Sequence, residues 1–297
     1  MTVSLFFQLL INGIALGLLY MMVVLGLDVI LRVTGLINFA HGQIFMLGAY
    51  TLFFSVSMLH VNFALGLLFS GIAISIAGCV CYVLVFYQLQ KRFAPGDLFV
   101  YMMSMSAMAS LGLMMVISQG ALVVFGADQK TVTSPFPQVL SVSGVTFPAE
   151  RLMVIGVSVV ILVLLYFLMY RTRLGRAMRA VSLDAEVSSM HGINAFKVYL
   201  MGFGLGCGLA GLAGGTIAPL FPLSTDMGVS MIILALLVQL MGGVGSYKGT
   251  VYSAVIVGLV LSFGQFFVGG LAQVLLFGFV IVLLIFRPQG LFGESVE

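Results

Sequence analysis

"LMVIGVSVVILVLLYFLMY", residues 152–170, contains no Asp, Glu, Lys or Arg. About 20 such residues are enough for a helix to cross the hydrocarbon of a bilayer. The next stretch, "RTRLGRAMRAVSLDAEVSSMHGIN" (171–194), carries Arg171, Arg173, Arg176, Arg179, Asp184 and Glu186, in a chain that is only 7% charged. The alternation of apolar run and charged break extends over all 297 residues. Charge-free runs occupy 1–27, 33–90, 98–127, 152–170, 198–225, 227–247 and 249–286. Run 33–90 has room for two crossings, and run 249–286 for two short ones. The chain is 62% hydrophobic, with a mean hydropathy of +1.24. A soluble domain needs far more charge to cover its surface. The reading is an all-α polytopic membrane protein with about eight or nine transmembrane helices, forming one transmembrane domain over 1–297.

Charge placement gives an orientation. Lys91 and Arg92 share one break, and the four arginines from Arg171 to Arg179 share another. Cytoplasmic loops are enriched in Lys and Arg, so both breaks are expected inside, two crossings apart. The segment between those crossings, 121–150, is then an external loop. Its Pro135, Pro137 and Pro148 and its short alternating runs suit a loop with a hairpin and not a helix. The N-terminal "MTVSLFFQLLINGIALG" has no basic leader and reads as the first retained helix. Asp28 and Arg32, four apart, mark the inner end of that crossing. Small residues four apart, Gly13 with Gly17, Gly204 with Gly208 and Gly211 with Gly215, are expected to let helix backbones pack closely. Cys79, Cys81 and Cys207 sit in apolar runs with no metal-ligand or disulfide spacing, and packing is their expected role. The net charge of +3 gives no reason to expect nucleic acid as a partner.

Two polar clusters stand out. "GLINFAHGQIFMLGAY" (35–50) brings Asn38, His41 and Gln43 into an apolar region. Lipid cannot satisfy such groups, so they face either a translocation path or a hydrogen-bond network joining two helices. In the second cluster, Ser182 is placed to cap a helix of two to three turns near 183–191. Asp184 and Glu186 fall in its first turn, Gly192 in a left-handed C′ position and Ile193 in the closing contact. Its arginines also fit a basic loop on anionic headgroups.

Familiar enzyme chemistry is missing. "GGVGSYKGT" (242–250) is not a phosphate loop, because Gly249 and not Ser or Thr follows Lys248. The three histidines are scattered, and no Gly-x-Ser-x-Gly elbow occurs. No catalytic, metal or cofactor residues are expected, and the chain is not read as an enzyme. A stand-alone secondary transporter or channel for a small polar solute is the alternative. Such proteins couple ions through charges within their spans, whereas the charges here, Asp226 and Lys248 included, read as span boundaries.

Several blocks resemble the integral permease subunits of bacterial ABC importers for branched-chain amino acids. They are "NGIALGLLYMMVVLGLDVI" (12–30), "GLINFAHGQIFMLGAY", "GRAMRAVSLDAE" (175–186), "HGIN" (191–194), "MGGVGSYKGTVYSAVIVG" (241–258) and "RPQGLFG" (287–293). The importer signature, Glu-Ala-Ala, three residues, then Gly, is matched by Glu186 and Gly192, with Val187 and Ser188 replacing the alanines. After "APLFP" (218–222) the family usually has Ser-Pro, whereas this chain has "STDMG" (224–228), which puts Asp226 at an outer helix end. The resemblance implies a cytoplasmic coupling region over 171–197, in which Arg179, Asp184, Glu186 and Gly192 engage the ATPase. It also implies two cytoplasmic ATP-binding subunits that hold ATP and Mg, and a second homologous permease or a second copy of this one. A periplasmic substrate-binding protein, surrounding membrane lipid and a place in the bacterial inner membrane complete the expectation. The implied cargo is branched-chain or related amino acids, with amides and urea left open.

Overall fold

The computed structural model describes residues 3–92, 99–142, 145–243 and 245–292. Val244 and Gly293 of the blocks above lie outside these. In hydrocarbon, backbone polar groups must bond within their own segment, so the apolar runs become helices. In chain order they are α1 (Val3–Thr34), α2 (His41–Phe53), α3 (Phe63–Cys81), α4 (Tyr87–Gln90), α5 (Phe99–Phe125) and α6 (Ala149–Arg171). Then follow α7 (Arg173–Leu183), α8 (Ala185–Met190), α9 (Ala195–Ile217), α10 (Met227–Gly242), α11 (Tyr247–Val268) and α12 (Ala272–Phe286). A wide turn at Phe54–Met58 extends α2, and another at Tyr82–Phe86 joins α3 to α4. The described sheet is one antiparallel hairpin, β1 (Val139–Val142) with β2 (Val145–Pro148).

Among the described residues, six stretches are long and apolar enough to cross a membrane: Val3–Thr34, Phe63–Gln90, Met102–Phe125, Ala149–Arg171, Ala195–Ile217 and Tyr247–Phe286. Met227–Gly242 is a shorter apolar helix. The last long stretch is a pair of helices. Gly269 (φ +57°) breaks it, and a Cβ on Gly264 would lie 2.9 Å from the Cβ of Ala272, so the chain doubles back. The class is therefore all-α and polytopic. Among the described residues, counting both arms of this pair gives seven crossings; α10 makes an eighth and α2 a ninth.

The chain divides into two compact units. One comprises Met1–Leu25, Thr133–Val160 and Ile233–Glu297. Here the start of α1 crosses α11 at glycines: a Cβ on Gly17 would lie 2.9 Å from the Ala254 carbonyl, and one on Gly13 2.9 Å from the Leu259 Cα. Ser262 donates to the Leu9 carbonyl at 2.7 Å, and Gln8 donates to the Thr146 hydroxyl of β2 at 2.9 Å. The glycine-rich turn before α11 has a structural purpose. Ser246 caps the helix by accepting from Gly249 N–H at 3.2 Å, and Leu291 N–H returns to the Met241 carbonyl at 2.8 Å.

The other unit comprises Gly26–Val132 and Ile161–Ile232 and is built around α9. Gly204, Gly208, Gly211 and Gly215 face α3, where added Cβ atoms would meet Cys79 Sγ (2.5 Å), Ser75 Cβ (3.2 Å), Ile74 Cβ (2.7 Å) and Leu67 Cδ1 (2.8 Å). The order of these pairs makes α9 antiparallel to α3. Gly202 and Gly206 receive Val33 and Ile30 of α1, and Gly214 receives the Phe45 carbonyl of α2. The small-residue spacing read from the sequence is therefore a packing device on several sides of one helix. The cysteines pack in the same seam, with Cys207 fully buried.

The loop expected over 121–150 is shorter in the structure. Apolar "ALVVF" keeps α5 helical until Gly126 (φ +80°), whose N–H closes on the Leu122 carbonyl at 3.0 Å. Glu150, in the first turn of α6, favours that helix's positive end, so α6 begins at Ala149.

Gly214→Ala is expected to lower stability in detergent by about 1–3 kcal/mol, because its methyl has no room against the Phe45 carbonyl. Gly112→Ala, where nothing lies within 4 Å, is expected to be neutral or to stabilise by up to about 1 kcal/mol. Melting midpoints of the two purified variants check this ordering.

Candidate functional site

The α1–α2 junction holds the first cluster. Thr34 ends α1, and Gly35 (φ +68°) returns its N–H to the Leu31 carbonyl at 2.8 Å. Residues 35–40 then form no regular structure, although Leu36, Asn38 and Ala40 are fully buried. The chain climbs back along α1, for a Cβ on Gly26 would lie 3.1 Å from His41 Nε2. At 1.5 Å per residue, α2 starts about 12 Å inside the end of α1. Irregular backbone at that depth survives only where its N–H groups find partners. α5 supplies two: Ser106 accepts from Ile37 N–H at 3.2 Å, and Ser110 from Phe39 N–H at 3.0 Å. Each hydroxyl donates in turn to its own helix, at Met103 (2.9 Å) and Ala107 (2.8 Å). Thr34 accepts from Leu36 N–H at 3.3 Å.

Asn38, His41 and Gln43 are all 0% exposed and lie within about one turn of each other at the start of α2. Both amide atoms of Asn38 and both of Gln43 lack a hydrogen-bond partner among the described residues. The first turn of α10 closes over them. A Cβ on Gly42 would strike the Gly228 carbonyl, and one on Gly228 would lie 2.7 Å from Gln43 Oε1. Two helix N-termini therefore meet inside the bundle. Asp226, expected at an outer helix end, directly precedes that first turn. It therefore stands about as deep as the α2 N-terminus, with its side chain exposed. Sequence reasoning missed Ser106, Ser110 and Gly228. The available signal was Ser104, Ser106 and Ser110 clustered in the first half of a largely apolar run.

The second cluster differs from the expectation in detail. The arginines occupy a helix of their own, α7. Thr172 caps it, accepting from Gly175 N–H at 3.1 Å while donating to the Leu168 carbonyl at 2.6 Å. Gly175, Met178 and Val181 are buried, and the last two join a cluster with Val29, Val33 and Val198. Ser182 lies within α7 and is not a cap. Asp184 caps α8 instead, accepting from Val187 N–H at 2.9 Å. α8 has six residues, fewer than two turns, because Asp184 is extended (φ −157°) and breaks the helix there. Gly192 does take the left-handed C′ position (φ +80°), with N–H bonds from Gly192 to Ser189 (3.0 Å) and from Ile193 to Ser188 (3.1 Å). Ile193 packs on the Val29–Met178 cluster. Arg179 is not drawn to the acids. Its guanidinium donates to the Met169 carbonyl and lies over the Tyr170 ring, 5.3 Å from the centroid. Among the described residues, no group of three His, Cys, Asp or Glu side chains could hold a metal ion.

A family model described as "Branched-chain amino acid transport system / permease component" matches residues 9–286. The chain belongs to this family. Its relatives in the branched-chain permease family include the high-affinity branched-chain amino acid transport system permease protein BraD of Pseudomonas aeruginosa. That protein is 24% identical over 300 residues, covering 97% of this chain and 96% of the relative. LivH of Escherichia coli is 24% identical over 300 residues, with the same coverage of both chains. LivM of Salmonella typhimurium is 24% identical over 311 residues, covering 92% of this chain and 68% of that one. No solved structure matches.

Removing both hydroxyls, in Ser106→Ala/Ser110→Ala, strands two buried N–H groups at about 1–3 kcal/mol each. The double variant is expected to melt well below either single variant. Leu36 and Asn38, mutated to Cys one at a time in this background, are expected to gain alkylation.

Proposed function

We propose that this chain is the membrane-spanning permease subunit of an ATP-driven importer for branched-chain or related amino acids in a bacterial inner membrane. Two cytoplasmic ATPase subunits would hydrolyse ATP with Mg. A homologous permease, or a second copy of this one, would complete the pathway. A periplasmic binding protein would deliver the substrate. Family membership supports the class. The observation that carries the mechanism is the α7–α8 corner. Leu183 (89% exposed), Val187 (49%) and Met190 (82%) present apolar side chains beside Asp184 and Glu186, outside the long apolar helices. Exposed apolar groups on a short helix fixed at both ends offer a rigid surface to a protein partner. The buried side of the corner rests on Val29 and Val33 of α1 and Val198 of α9. A push on α8 would therefore pass into helices that line Asn38, His41 and Gln43.

Glu186→Lys and Gly192→Val are the direct test. The first opposes the helix dipole by about 0.3–1 kcal/mol and reverses the charge offered to the partner. The second puts a β-branched residue where φ is +80°. Both variants are expected to insert normally and to retain less ATPase on co-purification, with substrate-stimulated hydrolysis lost in proteoliposomes. A headgroup role predicts instead that Arg173→Ala and Arg176→Ala do the damage. Orientation is checked by labelling in intact cells. A cysteine at 135 is expected to react from outside and one at 173 to stay protected.

A further inference from the structure

The buried start of α2 carries more hydrogen-bonding capacity than the fold uses. Four amide atoms, two on Asn38 and two on Gln43, are unpartnered among the described residues at 0% exposure. Leaving such a bond unmade at a buried site is costly. A mere packing role offers no return for that cost, and Leu at either position would avoid it. The amides also sit at a particular electrostatic place. The first turn of a helix carries roughly half a positive charge, although here His41 N–H already bonds to the Asn38 carbonyl and Val229 N–H to the Asp226 carbonyl. Two such termini, of α2 and α10, meet here, held in contact by the absence of side chains at Gly42 and Gly228. No Lys or Arg lies within 38–43 or 226–232. Within those two segments a carboxylate would meet partial charges only; Lys130, whose backbone pairs with Leu223 three residues before Asp226, is a cation the fold brings alongside. The one full charge close in sequence is Asp226, two residues before Gly228, with an exposed side chain.

Resting on the permease reading above, we propose that this junction binds the zwitterionic head of a free α-amino acid. The α2 and α10 N-termini, with the Asn38 and Gln43 amide N–H groups, take its carboxylate, and Asp226 takes its ammonium. In this structure the site is shut, with the Gly42–Gly228 crossing as its lid. The ligand enters when the first turn of α10 draws away from α2, and the amides then gain the partners they lack. Discontinuous helices whose N-termini face an anionic group inside a bundle are a recurrent way to bind a solute weakly enough to pass it on.

Saturation-transfer NMR on the intact permease–ATPase complex in nanodiscs, without binding protein, tests this directly. The probes are L-leucine, leucinol (no carboxylate) and 4-methylpentanoate (no ammonium). Leucine is expected to bind, and each analogue to bind at least about tenfold more weakly. Gln43→Glu keeps the shape, puts a like charge against the carboxylate, and is expected to weaken leucine by about tenfold or more with assembly unchanged. Asp226→Asn is expected to weaken leucine and to spare 4-methylpentanoate. If Gln43→Glu fails to assemble, Asn38→Asp is read in the same way. Leucinol binding as well as leucine, or unchanged leucine affinity in the acidic variant, would overturn the proposal. Leucine uptake by a complex that binds no free amino acid would also overturn it, leaving the permease reading intact. If other free amino acids bind, and lose affinity in the variant, while leucine neither binds nor is carried, the zwitterion site stands and the branched-chain assignment falls.

Discussion

The hydrogen bonds from Ile37 and Phe39 to the hydroxyls of Ser106 and Ser110 are the condition on which the α1–α2 junction exists. Lipid offers no substitute partner for a bare N–H, so irregular backbone inside a bundle needs donors and acceptors built into neighbouring helices. Once α5 supplies them, the chain can leave α1, turn at Gly35 and begin a new helix well inside the layer. Asn38, His41 and Gln43 are then carried to a depth that a pair of continuous helices would never give them. The polar cluster is a consequence of the break.

That break is tolerable because α9 lets its neighbours come close. Glycines on several faces of α9 admit α1, α2 and α3, and the one hydroxyl proton of Ser70 is shared between the Gly48 and Gly211 carbonyls, at 2.8 and 2.9 Å, where three helices converge. Without a hydrophobic effect to drive helix association in lipid, close backbone approach and such bonds supply the cohesion. The same close approach recurs at Gly42 and Gly228, where it shuts the space beside Gln43. Packing at both places uses one physical device, the missing side chain.

The charged break after α6 obeys different rules, because water is available there. Its elements are short and are fixed by local chemistry: Thr172 and Asp184 as caps, Gly192 as the left-handed stop. A six-residue helix has little stability of its own. It holds its place because Ile193 and Met178 anchor it to α1 and α9. Leu183 and Met190 are left exposed, with nothing among the described residues to cover them.

The charge-free runs determined the class, since no soluble fold hides so much apolar surface, and the glycine spacing determined that helices would pack by backbone contact. Gly192 and Asp184 were legible because capping depends on only a few neighbouring residues, although the cap was read two residues early, at Ser182. The depth of Asp226 and the pairing of Ser106 and Ser110 with residues 37 and 39 were not legible. Each depends on which helix lies alongside, and such partners sit about 70 residues or more away in the chain for the serines and further still for Gly228 and Gly42. An apolar run announces that it enters the membrane; how deep its polar residues finally stand is set by the neighbours that satisfy them.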